Sequence, residues 1–180
     1  MAETKDRRAR RTKAVLLGAF NQLFLDRRRR RIRAADLIAE AGVGRSTFYD
    51  HYSSADDLLL EALRHPFATL ADTAAGRGDA AATRWLMDHF WENRARAREL
   101  FDNGHMQGRV SRLLAEMVAE RLEGAALIVP PPLAAAQLAE AALAPVRAWV
   151  RGEAPARPEA IAEGLCRTGR ALREALGADG

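Results

Sequence analysis

Apolar residues recur along this chain at helical spacing, in stripes of three or four per two turns, and nowhere with the strict alternation of a strand. The first stripe, Val15, Leu16, Ala19, Phe20, Leu23 and Phe24, predicts a helix ending near Leu25. The residues before it, 1–13, read as a flexible basic arm carrying Arg7, Arg8, Arg10, Arg11 and Lys13. A second helix, opened by Arg33, has its apolar face at Ala34, Leu37, Ile38 and Ala41. Gly42-Val43-Gly44 then stops the pattern with two residues tolerant of positive φ around one apolar plug, which is the chemistry of a tight turn. A short third helix follows, anchored by Phe48 and Tyr52 and leaving Arg45, Ser46, Thr47, Tyr49 and His51 on the outward arc.

Ser54, with an acid three residues on at Asp57, reads as a cap for about five turns of helix through Leu58, Leu59, Ala62, Leu63, Phe67 and Leu70. Pro66 lies inside that span, and a bend or break is expected at His65-Pro66. Ala75 to Asp79 ends the helix with two glycines and offers Asp79 as the next cap. Beyond Ala80 the pattern gives helical hairpins. Trp85, Leu86, His89, Phe90 and Asn93 share a face, and a polar break falls near Asp102-Asn103-Gly104. Met106, Val110, Leu113, Leu114, Met117, Val118 and Leu122 form the next stripe. A loop over 124–132, a helix over 133–150 bent at Pro145, and a last helix over 161–176 with Pro158 in its first turn complete the chain.

Helix, glycine turn, helix is the helix-turn-helix, whose second member reads a DNA groove. The outward arc of that member is rich in hydrogen-bonding groups, with Asp50 its one acid, as a helix entering a groove requires. Charge changes the picture in the same direction. Residues 1–49 hold 13 Lys and Arg against 5 Asp and Glu, leaving 15 against 19 in residues 50–180. A basic head on a slightly acidic body is the footprint of a nucleic-acid-binding protein, although arginine runs also occur as solvated faces. Arg27 to Arg31, after Asp26, is expected to form a short loop or extra half-turn beside the phosphates.

The motifs Ile38-Ala39, Ala41-Gly42-Val43, Thr47-Phe48-Tyr49 and Tyr52-Ser53-Ser54 resemble the TetR family of one-component transcriptional regulators over roughly the first third of the chain. Two departures stand out: Ala55 replaces the usual lysine after the last serine, and Gly44 replaces the usual serine that opens the reader helix. The resemblance implies an all-α fold with an N-terminal three-helix helix-turn-helix DNA-binding head, residues 1–54, joined to a C-terminal helical ligand-binding and dimerisation body, residues 55–180. It also implies that the last two helices form the dimer interface. Arg45, Ser46 and Thr47 are expected at base edges, with Arg33, Tyr49, His51 and the arm on phosphates of double-stranded DNA.

Two surfaces of the body are open to two readings. Ala134, Ala135, Ala139, Ala142, Val146 and Trp149, with Ile161, Leu165, Thr168, Leu172 and Leu176, give broad small and aliphatic faces, and Gly164 and Gly169 allow close approach. A second copy covers them as a four-helix bundle; an intramolecular core covers them equally well. Trp85, His89, Phe90, Phe101, His105, Met106 and Met117, with Trp91 and Trp149 nearby, suit a small apolar or aromatic effector between helices and also suit plain core packing.

Composition narrows the remaining classes. With 180 residues, 48% of them hydrophobic, there is material for one medium domain or a small head on a larger body. No apolar run reaches membrane length and no signal peptide is visible, so a soluble, cytoplasmic protein is expected. The lone Cys166 agrees with a reducing compartment, and the arginine and alanine bias with a GC-rich bacterial genome. Metal-ligand spacings, phosphate loops and nucleophile elbows are not found, so no cofactor, metal or enzymatic activity is expected. The expected function is a homodimeric DNA-binding regulator, a repressor on an inverted-repeat operator, released by a small-molecule ligand. The alternative is a ligand-blind dimeric adaptor or architectural protein.

Overall fold

Residues 2–14 contain no glycine or proline, and alanine, arginine, lysine and glutamate there are strong helix formers. In the computed structural model, which describes residues 2–25 and 32–178, helix α1 accordingly spans Ala2–Leu25. The basic segment expected as a flexible arm is the first half of this helix. An Asp6–Arg10 ion pair one turn apart and a Thr12 hydroxyl donating to the Arg8 carbonyl brace it. Apolar periodicity alone misplaces the start, because an exposed helix turn needs no apolar residue.

The described residues form nine helices. After α1 come α2 (Ala34–Ala41), α3 (Arg45–Tyr49), α4 (Ala55–Ala74), α5 (Ala80–Glu92), α6 (Arg94–Asp102), α7 (Gly104–Arg121), α8 (Pro131–Arg151) and α9 (Pro158–Ala175). They pack as two compact units, Met1–Leu63 and Arg64–Gly180. Arg27 to Arg31 and Asp26, for which a loop was expected, lie outside the described residues.

In the first unit Leu16, Phe20 and Leu23 of α1 meet Leu37 of α2, Phe48 of α3, Tyr52 and Leu58 in one buried cluster. The stripe expected for α1 supplies three of these seven. Ser54 caps α4 by accepting the Asp57 N–H at 3.2 Å. Helix α4 continues past Pro66, which removes one backbone donor without ending the helix.

In the second unit α7 lies along α8 and α5 along α9. Phe67, Leu70, Ala71 and Ala74 of α4 are buried there. Arg121 on α7 ties that part of α4 down. Its Nε donates to Asp72 at 2.5 Å, one terminal nitrogen to the Ala68 carbonyl at 3.1 Å and the other to the Met117 carbonyl at 2.7 Å. Thr73 and Thr83, both fully buried, place their hydroxyls 2.8 Å apart, and the Cys166 thiol donates to Thr83 at 3.5 Å. Cys166 is therefore a packed residue.

Helix α5 starts on Asp79, whose carboxylate accepts the Ala82 N–H at 2.8 Å, and stops at Asn93, a break that the apolar pattern did not reveal. Asn93 donates both its backbone N–H, at 3.1 Å, and its side-chain amide, at 2.9 Å, to the His89 carbonyl. Helix α8 opens on Pro131, inside the segment expected to be loop, because a proline at the first helical position has no N–H to satisfy. It also runs on through Pro145. The segment after Gly124 and the C-terminus clip together. Ile128 N–H donates to the Leu176 carbonyl at 3.0 Å and Ala178 N–H to the Ala126 carbonyl at 3.2 Å.

The aliphatic face of α8 changes its meaning. Ala134, Ala135, Ala139, Ala142, Val146 and Trp149 are all buried within the single chain, so the intramolecular reading of this stripe is correct. The Trp149 indole donates to the Ala156 carbonyl at 2.9 Å, giving its one polar atom a partner. On α9, Leu165 and Gly169 are likewise inside, whereas Gly164 and Thr168 stand exposed. A stripe's composition does not say which copy covers it.

Candidate nucleic-acid interface

The α2–α3 corner is built by backbone chemistry first. Gly42 adopts φ of 61°, a left-handed conformation that glycine enters without steric cost. This turns the chain so that Gly42 N–H reaches the Ala39 carbonyl and Val43 N–H the Ile38 carbonyl, both at 3.3 Å. At the other end of α2, the Asp36 carboxylate accepts the Arg33 N–H at 2.9 Å and puts an acid in the first turn, where the helix dipole favours it.

Val43 then plugs into the cluster and Gly44 opens α3 with no side-chain cap. Its φ is an ordinary −68°, and an added Cβ would meet Thr47 Oγ1 at 3.6 Å, a normal contact. Gly44→Ser is therefore expected to stabilise the protein by roughly 0.5 kcal/mol, by supplying the missing cap and reducing unfolded-chain freedom. An unchanged or lower urea midpoint would show that the α3 N-terminus is not limited by its cap.

Phe48 is fully buried, and Tyr49 packs edge-on against it at 5.3 Å while staying 47% exposed. Of the five residues expected on the outward arc, Arg45, Ser46 and Tyr49 are exposed, and Thr47 and His51 are half-buried. Arg45 holds its guanidinium 5.7 Å from the Tyr49 ring centroid, which fixes the arginine over the helix without using its donors. Arg33 is also exposed. The surface of α3 thus presents a guanidinium and three hydroxyls, with the His51 imidazole in the turn that follows and Asp50 the only carboxylate on 45–51.

Lys13, expected on the arm, stands on α1 instead. Because α1 is helical there, its ammonium lies 5.8 Å from the Tyr52 ring centroid, at the edge of the same unit. Burial, with Glu61 adding to it, pushes the Tyr52 phenol up to about 12, so it stays neutral at any pH the fold meets.

The seven candidate effector residues separate. Phe90, Phe101, Met106 and Met117 are buried in the second unit, and His105 is exposed. Trp85 is 65% exposed and stacks on the half-buried His89 at 5.6 Å, with the rings 6° from parallel. These two line a surface cleft of about 400 Å³ together with Asp88, Trp91 and Glu92. Asp88 and Glu92 were not among the expected ligand residues. Their spacing with Trp85 and His89, at positions i, i+3, i+4 and i+7, is the signal that finds them.

A glycine-turned helix-turn-helix corner on a small helical unit, followed by a larger helical unit, is the fold of the TetR-type transcriptional regulators, and this chain has that fold. The TetR transcriptional regulator from Streptococcus agalactiae 2603V is similar at 24% identity over 96% of this chain and 99% of that one, with a TM-score of 0.51. RolR, solved with its ligand resorcinol, is similar at 18% identity, 97% and 98% coverage and a TM-score of 0.56. The dihydroxyacetone kinase operon activator DhaS is similar at 17% identity, 93% and 98% coverage and a TM-score of 0.52. No protein-family model and no curated protein matches the sequence. Among the described residues no helix is long and apolar enough to cross a membrane.

Proposed function

We propose that the chain is a DNA-binding transcriptional regulator that occupies an inverted-repeat operator as a homodimer, acting as a repressor, and is released by a small-molecule effector. The observation that carries the reading is the α3 surface. Phe48, and Tyr52 just beyond the helix, are buried while Arg45, Ser46 and Tyr49 are exposed and Thr47 and His51 are half-exposed beside them, the division of labour a reader helix needs. In this reading Arg45, Ser46 and Thr47 meet base edges, and Arg33, Tyr49 and His51 hold phosphates. Two readers in a symmetric pair sit about one helical turn of DNA apart, ~34 Å. That RolR is solved with resorcinol and DhaS is called an operon activator supports a regulator with an effector. Helix α4 contributes Leu58 to the first unit and Leu70 to the second, so one helix belongs to both.

The test is operator selection from random duplexes, followed by a reporter fused to the selected site. A palindromic site and a reporter that rises when the gene is removed are expected. Selection of no preferred sequence would sink the reading, and a reporter that falls would make the protein an activator.

For the dimer, the support is now the exposed small residues of α9, Gly164, Thr168, Ala171 and Ala175, since the α8 face is core. A Cβ on Gly164 meets nothing within 4 Å in the single chain. Gly164→Glu should therefore leave the helices intact and, by placing a charge in an apolar contact, halve the mass seen by light scattering. A variant that remains dimeric puts the interface elsewhere, and a monomeric parent at micromolar concentration removes the pair altogether.

A further inference from the structure

We infer that the α5 cleft is a binding site for a small, flat organic cation, an aromatic amidinium or guanidinium. Trp85, Asp88, His89 and Glu92 share one face of α5, and Trp91 closes the side. His89 backs one face of the Trp85 indole and the rest of that ring faces water. An indole face is electron-rich and attracts a positive group, while Asp88 and Glu92 can only accept hydrogen bonds when ionised. An anion entering the same cleft meets two carboxylates, and the nearest guanidiniums, Arg84 and Arg94, already lie against Asp88 and Trp91.

The chain already demonstrates the recognition it offers. Arg94 sets its guanidinium 4.9 Å from the Trp91 centroid, and that indole is held in place by stacking on the buried Trp149 at 5.1 Å. A guanidinium thus rests stably on one wall of the surface whose other wall, Trp85, is open. Arg84 lies 3.8 Å from Asp88 but only 2.7 Å from Glu159, so its stronger bond faces away from the lining. The cleft is open to solvent and all five of its lining residues lie on α5, so it suits one ring laid against the Trp85 indole. A bare metal ion fits less well: among the described residues no three ligating side chains converge.

That this cation is the effector rests on the regulator reading; that it binds does not. Titration calorimetry of the full chain, without DNA, with benzamidine, benzyl alcohol and benzoate separates the chemistry, since the three differ mainly in the charge on one ring. Benzamidine is expected to bind on the order of ten-fold tighter than benzyl alcohol, with benzoate weaker still. Trp85→Ala, and separately the Asp88→Asn/Glu92→Gln double variant, should each lower benzamidine affinity about ten-fold with circular dichroism unchanged. Equal affinities for the cation and the neutral alcohol, or variants that bind as the parent does, would overturn the inference. Binding that is confirmed but leaves operator affinity unaltered would keep the site and remove only the claim that its cation is the effector, whereas failure to select any operator would remove the regulator reading and leave the site standing.

Discussion

Gly169→Ala is expected to destabilise the second unit by about 3 kcal/mol or more, the upper end of overpacking costs. A Cβ at this position would lie 2.0 Å from the Thr73 carbonyl oxygen and 3.1 Å from its carbon, so backbone, not a flexible side chain, must move. Thr73 cannot yield cheaply. It is fully buried, and its hydroxyl is held by the Thr69 carbonyl and by Thr83, both at 2.8 Å. The ordinary helix gain of alanine over glycine, roughly 1 kcal/mol, is too small to offset this. Gly108 on α7 is the control: nothing lies within 4 Å of its added Cβ, so Gly108→Ala should raise the urea midpoint. Two glycines with opposite responses in chemical denaturation would establish the α4–α9 approach; a tolerated Gly169→Ala would refute it.

Phe48→Ala and Tyr49→Phe, one residue apart, should fail in different ways. Phe48 fills the centre of a small cluster, and its loss should cost ~3 to 5 kcal/mol, which a unit of this size cannot spare. DNA binding is then lost because the reader has no platform. Tyr49→Phe removes a single exposed oxygen, so the melting curve should stay within ~0.5 kcal/mol of the parent's while operator affinity falls. The pair is read by thermal melts and operator titrations side by side. If Tyr49→Phe binds the operator as the parent does, its hydroxyl is not a contact.

The α2–α3 corner was legible in the sequence because its requirements are local: a glycine at a positive φ, two aromatic anchors four residues apart, and polar groups between them. The stripe Met106 to Leu122 was legible for the same reason, its period fixing the inward face. Three features were not. The helical state of residues 2–13 comes from propensity and an Asp6–Arg10 pair, which leave no apolar period to find. The end of α5 at Asn93 depends on one amide finding the His89 carbonyl, while Phe90 and Trp91 carry the apolar pattern past it. The assignment of the α8 face to a partner copy failed because Ala139 and Val146 look alike to any neighbour. Gly169 shows the same ambiguity resolved by a distance: it was recognised as a point of close approach, and the approaching backbone is Thr73 of the same chain.

The lengthwise pairing of α5 with α9 sets a timetable for synthesis. The buried face of α5, with Thr83, Leu86 and Met87, leaves the ribosome well before Leu165 and Cys166 of α9 exist to cover it. At ~5–20 residues per second the intervening chain takes on the order of ten seconds to make. Residues of the first unit, close in sequence, have no such wait and close early. A message truncated just before Pro158 would yield a finished reader attached to a body with an uncovered apolar face, a species that binds chaperones and clumps rather than one that merely lacks a tail.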